Sequence, residues 1–286
     1  MTPRIVVVGD ALLDVGVLPD APMVQGADVP AAIRLGTGGQ GANVAVRLAR
    51  QGADVTLVCA VADDAAGTLV REALGDEGVA LVRLPAISTG TVVILGGADG
   101  ERTMLSQRAP IPGLTAPPEA AWLVVSGYPF LQDDADELAR RLASWPMRRV
   151  LLGCAVPDAA ASRWRAAARA LRPDLVVANR HEADRLLEAD AIAAVAVTDA
   201  TGAEVSVGPH RVRADAPAAP PAVDTTGAGD AFAAGLVAAL AGGPWPPSEA
   251  GLRGAATRAV ALAAAVARVP GAQGPVDGER PATLRP

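Results

Sequence analysis

The feature that most constrains this chain is its alternation of short apolar runs with alanine-rich stretches. Strand patterns fall at 4–8 (RIVVV), 55–61 (VTLVCAV), 79–84, 122–126 (WLVVS), 149–154, 174–178 (DLVVA) and 194–198. Helical patterns near 41–51, 64–77, 132–144, 158–171 and 180–188 lie between them. Near-continuous apolar strands separated by helices read as a parallel sheet covered on both faces. After the Pro/Ala stretch 216–223 the character changes, and two long helices are expected near 229–242 and 248–268.

Two segments break the alternation. Residues 12–36 are extended and interrupted by Pro and Gly, and 90–106, within a segment of about 88–108, read as two strands around a Gly97-Ala98-Asp99-Gly100 turn. Together they suggest a small β lid on one domain spanning 1–286. Such a lid excludes water from a reacting site.

Composition removes several classes of chemistry. All 25 Lys+Arg residues are arginine. Without lysine there is no Walker phosphate loop, no Schiff base and no protein-kinase β3 lysine. The net charge of −6, without a basic stripe, argues against a nucleic-acid or anionic-membrane partner. His181 and His210 lack ligand spacing, and Cys59 and Cys154 each sit inside an apolar run as buried thiols would. The N-terminus enters a strand pattern at once, with no signal-peptide architecture, so a cytoplasmic location is expected.

The first glycine cluster, GTGGQGAN at 36–43, contains GxGxxG at Gly36, Gly38 and Gly41, with Asp63 and Asp64 near the ribose-binding position of a dinucleotide fold. That reading suffers because the glycines do not directly follow the first buried strand. The competing expectation is that Gly38, Gly39 and Gly41 admit a small polar ligand to a helix N-terminus. There Asn43 offers both a donor and an acceptor, and Asp14 an acceptor for hydroxyls.

The second cluster, DTTGAGDAF at 224–232, opens a helix. Gly227, Ala228 and Gly229 would present unpaired amides, which attract anions with help from the helix dipole. An aspartate in a first turn is ordinary helix chemistry. Beside an anion-binding loop, however, Asp230 would repel a phosphate unless it has a role there. The role its chemistry suits is general base for a hydroxyl attacking phosphorus.

These residues resemble a known family. DTTGAGDAF is similar to the C-terminal signature of the ribokinase-like (pfkB-type) carbohydrate kinases, and GGQGANVAVRLARQGADV to their N-terminal signature. ANRHE (178–182) resembles their Asn-x-x-Glu motif through Asn179 and Glu182, and ALAAAVARVPGAQ their closing helix and Gly-Ala turn. The resemblance implies a three-layer αβα fold with a mostly parallel central sheet and a β lid. It also implies an ATP- and Mg²⁺-dependent kinase acting on a sugar or sugar-like hydroxyl, with a nucleoside kinase or a non-catalytic sensor as alternatives. Asp230 would be the base, and Gly227, Ala228 and Gly229 the anion hole. Asp14, Gly38, Gly39 and Asn43 would hold substrate. Asn179 and Glu182 would organise Mg²⁺, its waters and the phosphates. Thr198, Gly202, Gly229, Val260 and Ala264 would flank the nucleotide, and Asp224 with the Thr226 carbonyl would hold K⁺. A homodimer through the lid would follow some members. Three departures stand out. Gln40 replaces the ribokinase lysine, Gly127 falls near their glutamate, and the nucleotide loop TDATGAE (198–204) is short, with Ala200 at the expected glycine. Arg102 and Arg108, in or beside the lid, would either meet an anionic substrate or be exposed charges.

Overall fold

The computed structural model describes residues 2–96, 102–114, 117–187, 194–218, 222–277 and 279. Parallel strands β1 (Arg4–Val8), β4 (Asp54–Ala60), β5 (Ala80–Leu84), β8 (Trp122–Val125), β9 (Arg148–Leu152), β10 (Leu175–Asn179) and β11 (Ala194–Asp199) form the expected sheet. Its order is β13-β12-β11-β10-β9-β8-β1-β4-β5. The last two strands, β12 (Gly202–Val207) and β13 (His210–Asp215), extend it as an antiparallel edge.

Period-two alternation along β1 separates two cores. Ile5 and Val7 join a cluster with α1 (Gln40–Arg50), α2 (Ala65–Asp76), α6 (Ala228–Ala241) and α7 (Glu249–Val266). Val6 and Val8 join another with α3 (Ala135–Ala143) and α4 (Ala161–Leu171), to which the short α5 (Arg180–Leu186) adds Leu186. The result is the three-layer αβα arrangement.

A separate four-stranded sheet has the order β3-β2-β6-β7, built from β2 (Leu12–Pro19), β3 (Ala31–Gly38), β6 (Thr91–Gly96) and β7 (Arg102–Gln107). The Gly97–Gly100 turn lies outside the described residues. Strand order reverses between β1 and β8, and a crevice at the carboxyl ends of strands beside such a switch point is where open α/β sheets bind ligands.

Candidate active site

The crevice holds a cavity of about 270 Å³. Main-sheet strand ends, the N-termini of α1 and α6, and the smaller sheet wall it. Asp14, Gly39, Asn43, Asn179, Glu182, Thr198, Thr226, Gly227, Gly229 and Asp230 all line it. Residues from four distant parts of the chain therefore converge.

The two helix starts differ in a way that decides their chemistry. At α1, Asp10 occupies the N-terminus, accepting Gly41 N–H on Oδ1 at 3.3 Å, and its carbonyl accepts Ala42 N–H at 3.0 Å. Gly41 packs so tightly on Gly9 that a Cβ there would lie 2.8 Å from the Gly9 backbone. Gly39, the N-cap, needs its φ of 93° and faces the Asp10 carbonyl. Gly41 thus serves helix–strand packing rather than ligand approach. Gly38 gives room to the Asp14 carboxylate, into which any Cβ would intrude, and is not a cavity wall.

At α6 the N-terminus is open. Gly227 takes a left-handed φ of 77° as N-cap, and a Cβ added at Gly229 would meet nothing within 4 Å. Among the described residues, the amides of Gly227, Gly229 and Asp230 meet no acceptor. Ala228 departs from expectation: its amide donates to Thr225 O at 3.2 Å, and it does not line the cavity. The open donors are those on either side of it.

Asp230 stands in the first turn of α6, its Oδ2 accepting Asn43 Nδ2–H at 2.8 Å. Burial pushes its carboxyl up to about 7. The Asn43 N–H works against the rise, Asp10 and Glu182 add to it, and Arg47 lowers it. Asp14 on β2 is raised to about 6, chiefly by burial and then by Asp10, and its Oδ1 is buried without a partner among the described residues. Asn179 and Glu182 form a capping box on α5. Asn179 Oδ1 accepts Glu182 N–H at 2.9 Å, and Glu182 Oε2 accepts Asn179 N–H at 3.0 Å. Burial raises the Glu182 carboxyl against those amides.

Other expected residues fall elsewhere. Val260 is 5% exposed inside the α6–α7 core, and neither it nor the half-buried Ala264 reaches the cavity. Only Ala200 and Thr201 separate β11 from β12. Asp199 braces that turn, accepting Thr201 N–H at 2.8 Å and two Arg213 N–H groups at 2.7 and 3.0 Å, which hold its carboxyl below the ordinary range. Gly202 is packed under Ala214 and is no cavity wall. Asp224 ties Thr226 N–H (2.8 Å) to Gly271 N–H (2.9 Å), closing the α6 entry loop on the C-terminal turn.

The chain matches the family model for pfkB family carbohydrate kinase over residues 2–278. It belongs to that family. As a pfkB carbohydrate kinase it shares its fold with structures of low sequence identity. An adenosine kinase from Sinorhizobium meliloti aligns with TM-score 0.76 and 23% identity over 96% of this chain and 97% of that one. A ribokinase from Cryptococcus neoformans in complex with ADP gives 0.77 and 22%, over 95% and 96%. An uncharacterized sugar kinase from Pyrococcus horikoshii in complex with ATP gives 0.78 and 21%, over 95% of each chain. No curated protein matches at a significant level.

Within this pfkB kinase the first two sequence departures are one structural change. The Gln40 side chain is spent on the protein. Its Oε1 accepts Gly127 N–H at 2.9 Å and the Ser126 hydroxyl at 2.8 Å, and its Nε2 donates to Gly153 O at 2.8 Å. A Cβ at Gly127 would collide with Leu152 O, with Cys154 Sγ at 2.9 Å also close, so no side chain fits there. Sequence reasoning also passed over Asp10, Tyr128 and Gln273. Asp10 accepts Arg108 Nε–H at 3.1 Å, and the Arg108 guanidinium lies 3.8 Å over the Tyr128 ring. Arg108 is therefore a paired wall residue rather than a free surface charge. The Arg102 side chain lies outside the described residues. The GD pair directly after β1 was a readable signal for Asp10. Gln273 had none.

Proposed function

We propose that this kinase transfers the terminal phosphoryl group of ATP to a hydroxyl of an uncharged sugar or sugar-like polyol. The observation that carries the reading is Asp230, inside the cavity beside the unengaged amides at the start of α6. Among the described residues Asp230 Oδ1 accepts no hydrogen bond, so that oxygen can take the proton of a bound hydroxyl. The Gly227 and Gly229 amides, with the helix dipole, stabilise charge on the transferring group. Asp14 Oδ1, otherwise orphaned, receives a substrate hydroxyl. Asp14, Glu182 and Asp230 line the cavity together with one arginine, Arg108, which is already paired with Asp10, and that charge balance disfavours an anionic acceptor.

ATP use is supported by the relatives solved with ADP and ATP. Mg²⁺ would neutralise phosphate charge when bound. Among the described residues no cluster of three carboxylate, His or Cys groups exists to cage a metal. Glu182 and Asn179 would therefore hold Mg²⁺ through its waters, with phosphates completing the shell. Asp224 and Thr226 are the K⁺ candidates. Asp224 also closes its loop by hydrogen bonds from the Thr226 and Gly271 amides. No described helix is long and apolar enough to cross a membrane.

A nucleoside acceptor is the second reading, favoured by the likeness to an adenosine kinase. Against it, Tyr128 is the one aromatic residue among those lining the cavity, and Arg108 already covers it. The test is ADP release from MgATP across pentoses, hexoses, keto-deoxy acids and nucleosides, with Asp230→Asn alongside. A neutral sugar as best acceptor, with turnover lost by several orders of magnitude in the folded variant, supports the reading. Near-normal turnover in Asp230→Asn rejects it. Binding without ADP release in the unaltered chain points to a sensor.

A further inference from the structure

A file of hydrogen bonds runs from the smaller sheet to Asp230. Thr37 on β3 donates its hydroxyl to Gln273 Oε1 at 2.8 Å. Gln273 Nε2 donates to Asn43 Oδ1 at 3.0 Å, and Asn43 Nδ2 donates to Asp230 Oδ2 at 2.8 Å. The backbone around Gln273 is clamped. Arg50 donates to its carbonyl at 2.9 Å, and Arg47 donates to the flanking carbonyls of Ala272 (2.7 Å) and Gly274 (2.8 Å).

A primary amide has one accepting end and one donating end. With the Gln273 N–H on Asn43 Oδ1, Asn43 can turn only its own N–H toward Asp230. The reverse polarity, with both amides flipped, would aim Asn43 Oδ1 at Asp230. That arrangement suits a protonated carboxyl and repels a carboxylate. The file as built therefore suits the ionised base.

We propose that Gln273, held by its hydrogen bond to Thr37 of the smaller sheet, is a positioning residue that keeps the Asn43 amide with its N–H toward Asp230. The inference rests on Asp230 being the base. Asp10, beyond β1, and Glu182 of α5 oppose its ionised form. Arg47 of α1 favours that form, and the Tyr128 phenol lies within electrostatic reach. Asn43 alone donates a hydrogen bond to the carboxylate among the described residues, so one amide's orientation carries weight out of proportion to its size. Because Thr37 belongs to the sheet over the cavity, that sheet's position bears on the base.

The test needs no substrate. The Asp230 carboxyl carbon is titrated by ¹³C NMR in the full chain and identified by its loss in Asp230→Asn. Gln273→Met and Thr37→Val are expected to raise its midpoint by about half to one pH unit, a three- to tenfold change in proton affinity. Thr37→Ser, which keeps the hydroxyl, restores the original midpoint. An unchanged midpoint in both Gln273→Met and Thr37→Val overturns the inference. Thr37→Val preserves the β-branched shape and is expected to fold even if Gln273→Met proves unstable. Failure of the base reading shows separately, as undiminished ADP release by Asp230→Asn.

Discussion

Asn43, in the first turn of α1, donates its side-chain N–H to Asp230 in the first turn of α6 at 2.8 Å. A general base must be unprotonated to act, and burial holds Asp230 up to about 7. For the free enzyme, log kcat/KM should therefore climb with pH and level off above about 7. Asn43→Leu removes a group that lowers this value, so the climb should move to higher pH. Stability runs the opposite way. A carboxyl raised in the folded state binds more protons than in the unfolded chain, so stability falls as pH rises from 3.8 to about 7. Asp230→Asn should thus raise the melting temperature at pH 8 by several degrees and change it little at pH 4, as calorimetry at the two pH values would show.

Gly229 separates the anion-hole idea from ordinary helix chemistry. A Cβ there meets nothing within 4 Å, and alanine favours a helix by up to ~1 kcal/mol over glycine. Gly229→Ala should therefore melt no lower than the parent. If that open space receives the transferring phosphoryl group, ADP release should nonetheless fall by ~10²-fold. Gly227→Ala is the contrasting case. Its φ of 77° and its crowding against Ala272 predict lost stability as well.

The main-sheet strands were legible because burial on both faces leaves a continuous apolar run, as in β1 and β8. The β12–β13 hairpin was not. In β13 (HRVRAD) charged residues alternate along an exposed edge, and Gly202 reads as loop. The two glycine loops could be found, but not their division of labour. Asp10 fills one helix start and leaves the other open, a difference made by spatial neighbours. Ala228 was misplaced because the Thr225 carbonyl turns back on its amide. Val260 falls on an alanine-rich helix whose periodicity cannot say which face meets the core. Gln273 reaches Asn43 from the far end of the chain, beyond any local pattern.

Arg47 is 0% exposed and spans α1 to the C-terminal turn, with Glu279 at 2.6 Å. Arg50 also reaches Glu279, at 3.4 Å, so losing Arg47 leaves that buried carboxylate a weaker partner and should cost less than the ~3–5 kcal/mol of a fully stranded charge. Arg47→Met should accordingly lower the urea midpoint and loosen the turn carrying Gln273. Adding Glu279→Gln should recover part of the loss, and a double-mutant cycle measures the coupling.

The outer face of the smaller sheet aligns Leu35, Val15, Val93 and Leu105 across neighbouring strands, while the alternate residues Asp14, Val92 and Ile94 turn toward the cavity side. Leu35 and Leu105 are 61% and 59% exposed. We propose that a second copy of the chain covers this apolar row. Sedimentation should show a dimer, and Leu35→Glu with Leu105→Glu should give a monomer.

Gln40 offers the sharpest check on how this family member departs from the ribokinase pattern. Its amide binds the ends of β8 and β9 together through Gly127 N–H, the Ser126 hydroxyl and Gly153 O. Lysine donates but cannot accept, so Gln40→Lys strands the Gly127 amide and brings an ammonium without its glutamate partner. An unsatisfied buried donor costs about 1–3 kcal/mol, and nothing in the swap returns it. The variant should melt several degrees lower. It should gain no ribose-dependent ADP release, because the space for a glutamate at 127 is filled by Leu152 O and Cys154. A gain of ribose turnover would mean that lysine reaches the substrate without that partner, and that Gln40 shapes specificity directly rather than by bracing the strand ends.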